Sequence, residues 1–174
     1  ETTSIWHNSL RDETAKKVLF EGMPLLLDLY EEYNIKTTFF FTGYIAKLYP
    51  DIVKMVVPYG HEVASHGMSH IKKNGFDVMP LNKQILHLKE SKKILEDLSG
   101  HEVITFRAPA LRVNEETVIA LEETNYLIDS SVASQRFDMF MSFGALKKMK
   151  WLFSPRLPYR VSSKSLFKKG NSSI

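Results

Sequence analysis

Hydrophobic and polar positions along this chain alternate between two rhythms. Over residues 15–33 the apolar side chains Val18, Leu19, Leu25, Leu26, Leu29 and Tyr30 recur at helical spacing, with Gly22 and Pro24 interrupting the pattern. Residues 35–42 are dense in β-branched and aromatic side chains, which suits a buried strand closed by Gly43. Residues 45–57 return to the helical rhythm, with Pro50 near a first turn and Pro58-Tyr59-Gly60 ending it. A short strand is expected over 61–65. Residues 81–98 make the clearest amphipathic helix, with Ile85, Leu88, Ile94, Leu95 and Leu98 on one side and Gly100 beyond its end. Residues 103–106 predict a strand stopped by Arg107-Ala108-Pro109. Asn114 caps a helix running through Glu123, and residues 126–131 predict a further strand.

Strands alternating with helices imply an α/β protein with a parallel sheet, open or closed. Functional groups in such sheets gather at the C-terminal strand ends. Those ends carry Thr42 and Gly43, then His66 and His70, then Arg107 and Pro109, then Asp129. Polar, chemistry-capable residues thus recur where this architecture would build a site.

Composition narrows the classes only modestly. A length of 174 residues fits one domain, taken here as 1–174. The net charge of +3 is too small to argue for a nucleic-acid partner, and the late lysines (Lys147, Lys148, Lys150, Lys164, Lys168, Lys169) read as a solvated face. The absence of cysteine excludes disulfides and thiolate metal ligation. The apolar run over 38–46 is about half the length a bilayer span requires, so no membrane span is expected. No signal peptide is visible, and the first residue is Glu1 rather than methionine, so the expectation is that the natural start lies elsewhere. Localisation stays open between cytoplasm and cell envelope, and the pattern is silent on oligomeric state.

His66 and His70, four residues apart with Gly67 and Ser69 between them, are the strongest chemical signal. Both rings could face one point if the backbone turned helically there. A catalytic metal site needs a third protein ligand and keeps a position for water. Glu62, Asp77, Asp129 and Glu1 are all candidates, Glu62 because its even spacing from His66 puts both on one strand face. Arg107 offers a fixed cation for orienting a carboxylate. Asp129-Ser130-Ser131 reads equally as a turn or as functional groups, and Trp6, Tyr44, Tyr49 and Trp151 as core or as sugar-stacking platforms. Phe39-Phe40-Phe41 reads as core.

In order, the chain contains Thr37-Thr38-Phe39-Phe40-Phe41-Thr42-Gly43, Pro50, Gly60-His61-Glu62-Val63-Ala64-Ser65-His66-Gly67-Met68-Ser69-His70, Phe106-Arg107-Ala108-Pro109 and Ile128-Asp129-Ser130-Ser131. This ordered set resembles the polysaccharide deacetylase family, the NodB-homology domain of carbohydrate esterase family 4, over residues 15–131. The resemblance implies a distorted, incomplete (β/α) barrel. It also implies a metal-dependent hydrolase of non-peptide carbon–nitrogen bonds that deacetylates an N-acylated amino sugar or polysaccharide. The ion implied is divalent, typically Zn2+, although two imidazoles and a carboxylate also accept Co2+, Mn2+ or Fe2+. His66 and His70 match the family's metal-binding histidines, and Arg107 matches the arginine that orients the catalytic base. Pro109 shapes that loop and, with Asp129, falls on the substrate side.

Two departures qualify the resemblance. The family's first strand ends in two acids, a base and a metal ligand, and no such pair occurs here. Glu1 stands where the second acid of an Asp-x-Glu pair would stand, and so is taken as the third metal ligand, with the base upstream. The family's late Leu-x-His element, which supplies a general acid, has no counterpart because no histidine follows His101. Residues 139–174 match no catalytic motif. The expectation is a single truncated deacetylase-like domain, inactive on its own. A non-catalytic metal- or carbohydrate-binding relative is the second reading.

Overall fold

Four parallel strands, each leading into a helix or turn on the same edge, form the frame of this chain. The computed structural model describes residues 11–134 and 153–174. The first helical region comprises α1 (Asp12–Lys17), a π-turn (Val18–Gly22) and α2 (Met23–Glu32). The interruption expected at Gly22 and Pro24 is therefore not a break. Pro24 has no amide to donate, and its ring crowds the carbonyl four residues back. The helix widens instead, with the Met23 amide donating to the Val18 carbonyl five residues earlier.

β1 (Thr38–Phe41) leads into α3 (Gly43–Leu48), which Thr42 caps by accepting the Ile45 amide at 3.4 Å. The single helix expected over 45–57 is split into α3 and α4 (Asp51–Lys54). The cause is local: Tyr49 precedes Pro50, and steric clash moves it out of the helical region to φ −134, ψ 70. β2 (Glu62–Ser65), α5 (Leu81–Ser99), β3 (Thr105–Phe106), α6 (Glu116–Glu123) and β4 (Ile128–Asp129) follow. The strand order β1-β2-β3-β4 never reverses, and α5 packs on β2 and against α3, α4 and α6, so the helices share one side. A doubly wound sheet reverses its order and uses both sides; consecutive order with one-sided helices is a barrel segment. This is the incomplete barrel expected from the sequence.

α5 buries Gln84, Leu88, Ser91, Leu95 and Ser99, a stripe at three- and four-residue spacing. Of the expected apolar side, Leu88 and Leu95 are its centre, while Ile85, Ile94 and Leu98 flank it. Gly100 ends the helix in the left-handed conformation (φ +71), where a side chain would be strained. Leu27, Phe76, Phe106, Leu121 and Tyr126 complete the core between sheet and helices. The second face of the sheet carries Thr38, Phe40, Glu62, Thr105 and Ile128, and Ile128 is 48% exposed there. In a closed barrel this face would be interior.

Beyond β4, the described residues end in an antiparallel hairpin of β5 (Val161–Ser162) and β6 (Ser165–Lys169). Ser172 ties the segment after β6 to α6 by donating to Glu122 at 2.6 Å. Between the hairpin and the outer side of β4 lies a cavity of about 1160 Å3, lined by Ile128, Asp129, Tyr159 and Leu166 among others. Among the described residues no helix is long and apolar enough to cross a membrane.

Candidate metal centre

Ser65 ends β2, and the next residue is the first histidine. The His66 amide donates to the Phe41 carbonyl at 2.8 Å, prolonging the β1–β2 ladder by one bond. The chain then leaves the sheet in an irregular loop, not a helical turn, with Gly67 at φ +68. That left-handed residue re-aims the chain so that the His66 and His70 rings lie 5.2 Å apart between centroids. Four bonds hold the loop. The Gly43 and Tyr44 amides at the start of α3 donate to the Gly67 and Met68 carbonyls, each at 2.9 Å. Gly67 donates to the Ser65 hydroxyl at 3.2 Å, and Asn74 donates to the Ser69 hydroxyl at 3.0 Å. The Met68 side chain packs against Gly43, and a Cβ there would sit 2.5 Å from its sulfur, so the methionine would have to shift.

The His66 Nδ1 lies 2.5 Å from the Arg107 carbonyl. A carbonyl only accepts, so the proton sits on Nδ1 and Nε2 keeps its lone pair for a ligand. Burial pushes the His66 pKa down to about 4; the Arg107 carbonyl bond opposes this, and the charges of His70 and Arg107 add to it. The ring is neutral at pH 7, the form that binds metals.

Arg107 itself is clamped. Its Nη2 donates to the Ser130 hydroxyl at 2.7 Å, its Nε to the Ser130 carbonyl at 3.2 Å, and its guanidinium lies 4.2 Å from the Phe40 ring centroid. Phe40, expected as core, instead lies on the second face of the sheet, outside the core that holds Phe41, and is the platform under this cation. Pro109 is buried at the start of a 3-10 turn (Pro109–Leu111). Ala110 and Leu111 follow with φ +52 and +54, an uncommon pair of strained residues in the loop that carries Arg107. Asp129 accepts from the Ser131 hydroxyl at 2.6 Å and from the Ser131 amide at 3.1 Å. Burial pushes its carboxyl up to about 6, against the opposing pull of the Ser131 bonds and the Arg107 charge.

The structure separates the candidate third ligands. Glu62 does share a strand face with His66, but the even spacing also puts it four residues down β2, roughly 13 Å away at the strand's rise. There it accepts from Thr38 at 2.5 Å and from Thr105, at the opposite end of the sheet. Asp77 is ion-paired with Arg112 at 2.7 Å, and Asp129 is occupied by Ser131. Among the described residues no group of three His, Asp or Glu side chains is placed to hold a metal. Glu1 lies outside the described residues, as do Trp6 and Trp151. Tyr44 is exposed, and Tyr49 donates to Asp12. His61 is a core histidine, packed among Tyr30, Phe39 and Tyr59 at the start of β2.

What sequence reasoning missed is how the small polar groups beneath the site pair with one another. The Ser65 and Ser91 hydroxyls bond at 2.9 Å between β2 and α5, and the Ala108 amide donates to Ser131 at 2.8 Å. Ser91 falls on the buried stripe of α5, and a polar residue on that stripe was the one available signal.

The polysaccharide deacetylase profile matches residues 12–128. The chain belongs to the polysaccharide deacetylase family. Among relatives of this family, a peptidoglycan deacetylase from Helicobacter pylori is 29% identical over 67% of this chain and 39% of its own length. A peptidoglycan-N-acetylglucosamine deacetylase from Bacillus cereus is 31% identical over 59% of this chain and 46% of its own. The crystal structure of a putative polysaccharide deacetylase from Mycobacterium smegmatis superposes with a TM-score of 0.65 at 26% identity, over 75% of this chain and 45% of that one. This polysaccharide deacetylase chain thus spans less than half the length of these relatives.

Proposed function

We propose that this chain forms the metal-binding part of a hydrolase that removes acetyl groups from N-acetylated amino sugars of a polysaccharide. The observation that carries the proposal is the His66–His70 pair at the end of β2, with the His66 Nδ1 proton committed to the Arg107 carbonyl. Family membership and relatives that act on peptidoglycan support the same substrate class.

His66 and His70 would hold a divalent ion, Zn2+ first among those this donor set accepts, with Glu1 completing the set. Such an ion, when bound, polarises an acyl carbonyl and lowers the pKa of its water toward neutrality. The chain's own groups keep His66 neutral and oriented. They hold the Arg107 cation over Phe40, where it would orient a catalytic carboxylate. In this reading the loop shaped by Pro109, with Asp129, would face the substrate.

The test is metal analysis of the full-length protein, paired with acetate release from N-acetylglucosamine oligomers and peptidoglycan. Stoichiometric Zn2+ and acetate release, both lost in His66→Ala, are the expected result. Metal uptake without release from any acylated sugar would assign the chain to a non-catalytic, binding role.

A further inference from the structure

The Arg107 carbonyl that receives the His66 proton and the Ala108 amide are two ends of one peptide unit. Because that unit is planar, fixing one end fixes the other. The carbonyl accepts from His66 Nδ1 at 2.5 Å, and the amide donates to the Ser131 hydroxyl at 2.8 Å. Ser131 is fully buried, and its hydroxyl donates onward to the Asp129 carboxylate at 2.6 Å. The Ser131 amide donates to the other carboxylate oxygen at 3.1 Å, which locks the acceptor in place. Every donor in this chain points the same way, from imidazole to peptide to hydroxyl to carboxylate.

Two further features hold the peptide unit. Ala108 is confined to extended backbone (φ −66, ψ 137) by the proline that follows it. The Arg107 amide donates to the Ser65 carbonyl at 3.0 Å, and its side chain is pinned to Ser130. The peptide plane therefore has little freedom to tilt while Ser131 is bonded.

We propose that Ser131 and Asp129 are positioning residues for His66, acting across the Arg107–Ala108 peptide plane to fix the tautomer and orientation of the ring. The inference rests on the metal-binding reading of His66 and deepens it. Aligned hydrogen bonds polarise one another, so a carboxylate at the far end makes the Arg107 carbonyl a stronger acceptor and Nε2 a better ligand. The effect resembles a carboxylate bonded directly to a ligand histidine, transmitted here through a hydroxyl and a peptide group. A hydroxyl is required, because the group at 131 must accept from Ala108 and donate to Asp129 at once.

The test uses the full 174-residue chain. With chelator present, 15N–1H NMR of the imidazoles reads the His66 tautomer without any metal. The expected parent state is protonation at Nδ1, with that proton shifted downfield. Ser131→Ala and Asp129→Asn are expected to mix the tautomers and weaken or lose that resonance, while Ser131→Thr retains it. Titration with Zn2+ is then expected to show affinity reduced roughly tenfold in Ser131→Ala. An unchanged His66 tautomer in both Ser131→Ala and Asp129→Asn overturns the proposal. Zn2+ affinity unaffected by His66→Ala overturns the metal-binding reading instead, so the two failures are distinct.

Discussion

Gly67 is where the histidine loop turns, and its requirement is conformational. At φ +68 an L side chain is strained, and a Cβ would meet the Phe76 ring at 3.1 Å. Left-handed backbone costs roughly 1–2 kcal/mol, so Gly67→Ala should destabilise by about that amount in urea unfolding with an unchanged m-value. Arg107 makes a different demand. Arg107→Lys keeps the charge but cannot reproduce the planar contacts to Ser130 and Phe40. In the full-length protein its kcat for acetate release should fall on the order of 10²-fold, the penalty for a misplaced orienting group, with KM changing little. An unaltered kcat would place Arg107 outside the chemistry. Arg107 was identifiable from its position after a strand pattern. Its partner Ser130 and its platform Phe40 were not, because both contacts cross from one strand to another.

The helix starting at Glu116 shows how far local pattern reaches. Asn114 accepts from the Glu116 amide at 3.0 Å, and the Asn114 amide donates to the Thr117 hydroxyl at 3.1 Å, a reciprocal cap. Asn114 also accepts from the buried Gln84 at 3.1 Å, which no helix rule anticipates. Loss of an Asn cap costs typically about 1 kcal/mol. Asn114→Ala should therefore cost at least about 1 kcal/mol, and more than the cap alone because it also removes a partner from Gln84. Chemical denaturation of Asn114→Ala beside Asn114→Ser, which retains the cap, separates the two contributions. α5 was legible almost to its ends for the same kind of reason: a long periodic stripe and a glycine stop. The division of α3 from α4 was less so, since Pro50 fits both a first turn and a break, and the decision fell to Tyr49.

For the molecule as a whole, His66 and Asp129 set opposing pH dependences. The unfolded chain protonates its histidine near 6.5, whereas folded His66 resists until about 4, so between those values stability rises with pH. The unfolded Asp129 ionises near 3.8 and the folded one only near 6, so across that window stability falls with pH. Each effect amounts to about 3 kcal/mol over its full window, and in the metal-free protein they nearly cancel between pH 4 and 6. Relative to the parent, Asp129→Asn should acquire a slope of about +1.4 kcal/mol per pH unit there, and His66→Asn the opposite slope. Urea unfolding at half-unit pH steps with chelator present checks this; curves parallel to the parent would refute it. The same cancellation means that acid sensitivity alone does not reveal either group.

Much of this protein follows from chain-local pattern. The succession of strands and helices, the parallel α/β class and the position of His66, His70, Arg107 and Asp129 at strand ends are all set by side-chain periodicity, which is a property of neighbouring residues. The ordered motifs carried the family as well. Tertiary structure decided which of those strand-end groups meet. It bonded Glu62 to Thr38 and Thr105, paired Asp77 with Arg112, and joined His66 to Asp129 through one peptide plane and one serine hydroxyl. Most of those links join segments more than twenty residues apart, and contacts across such distances leave no periodic trace in the chain.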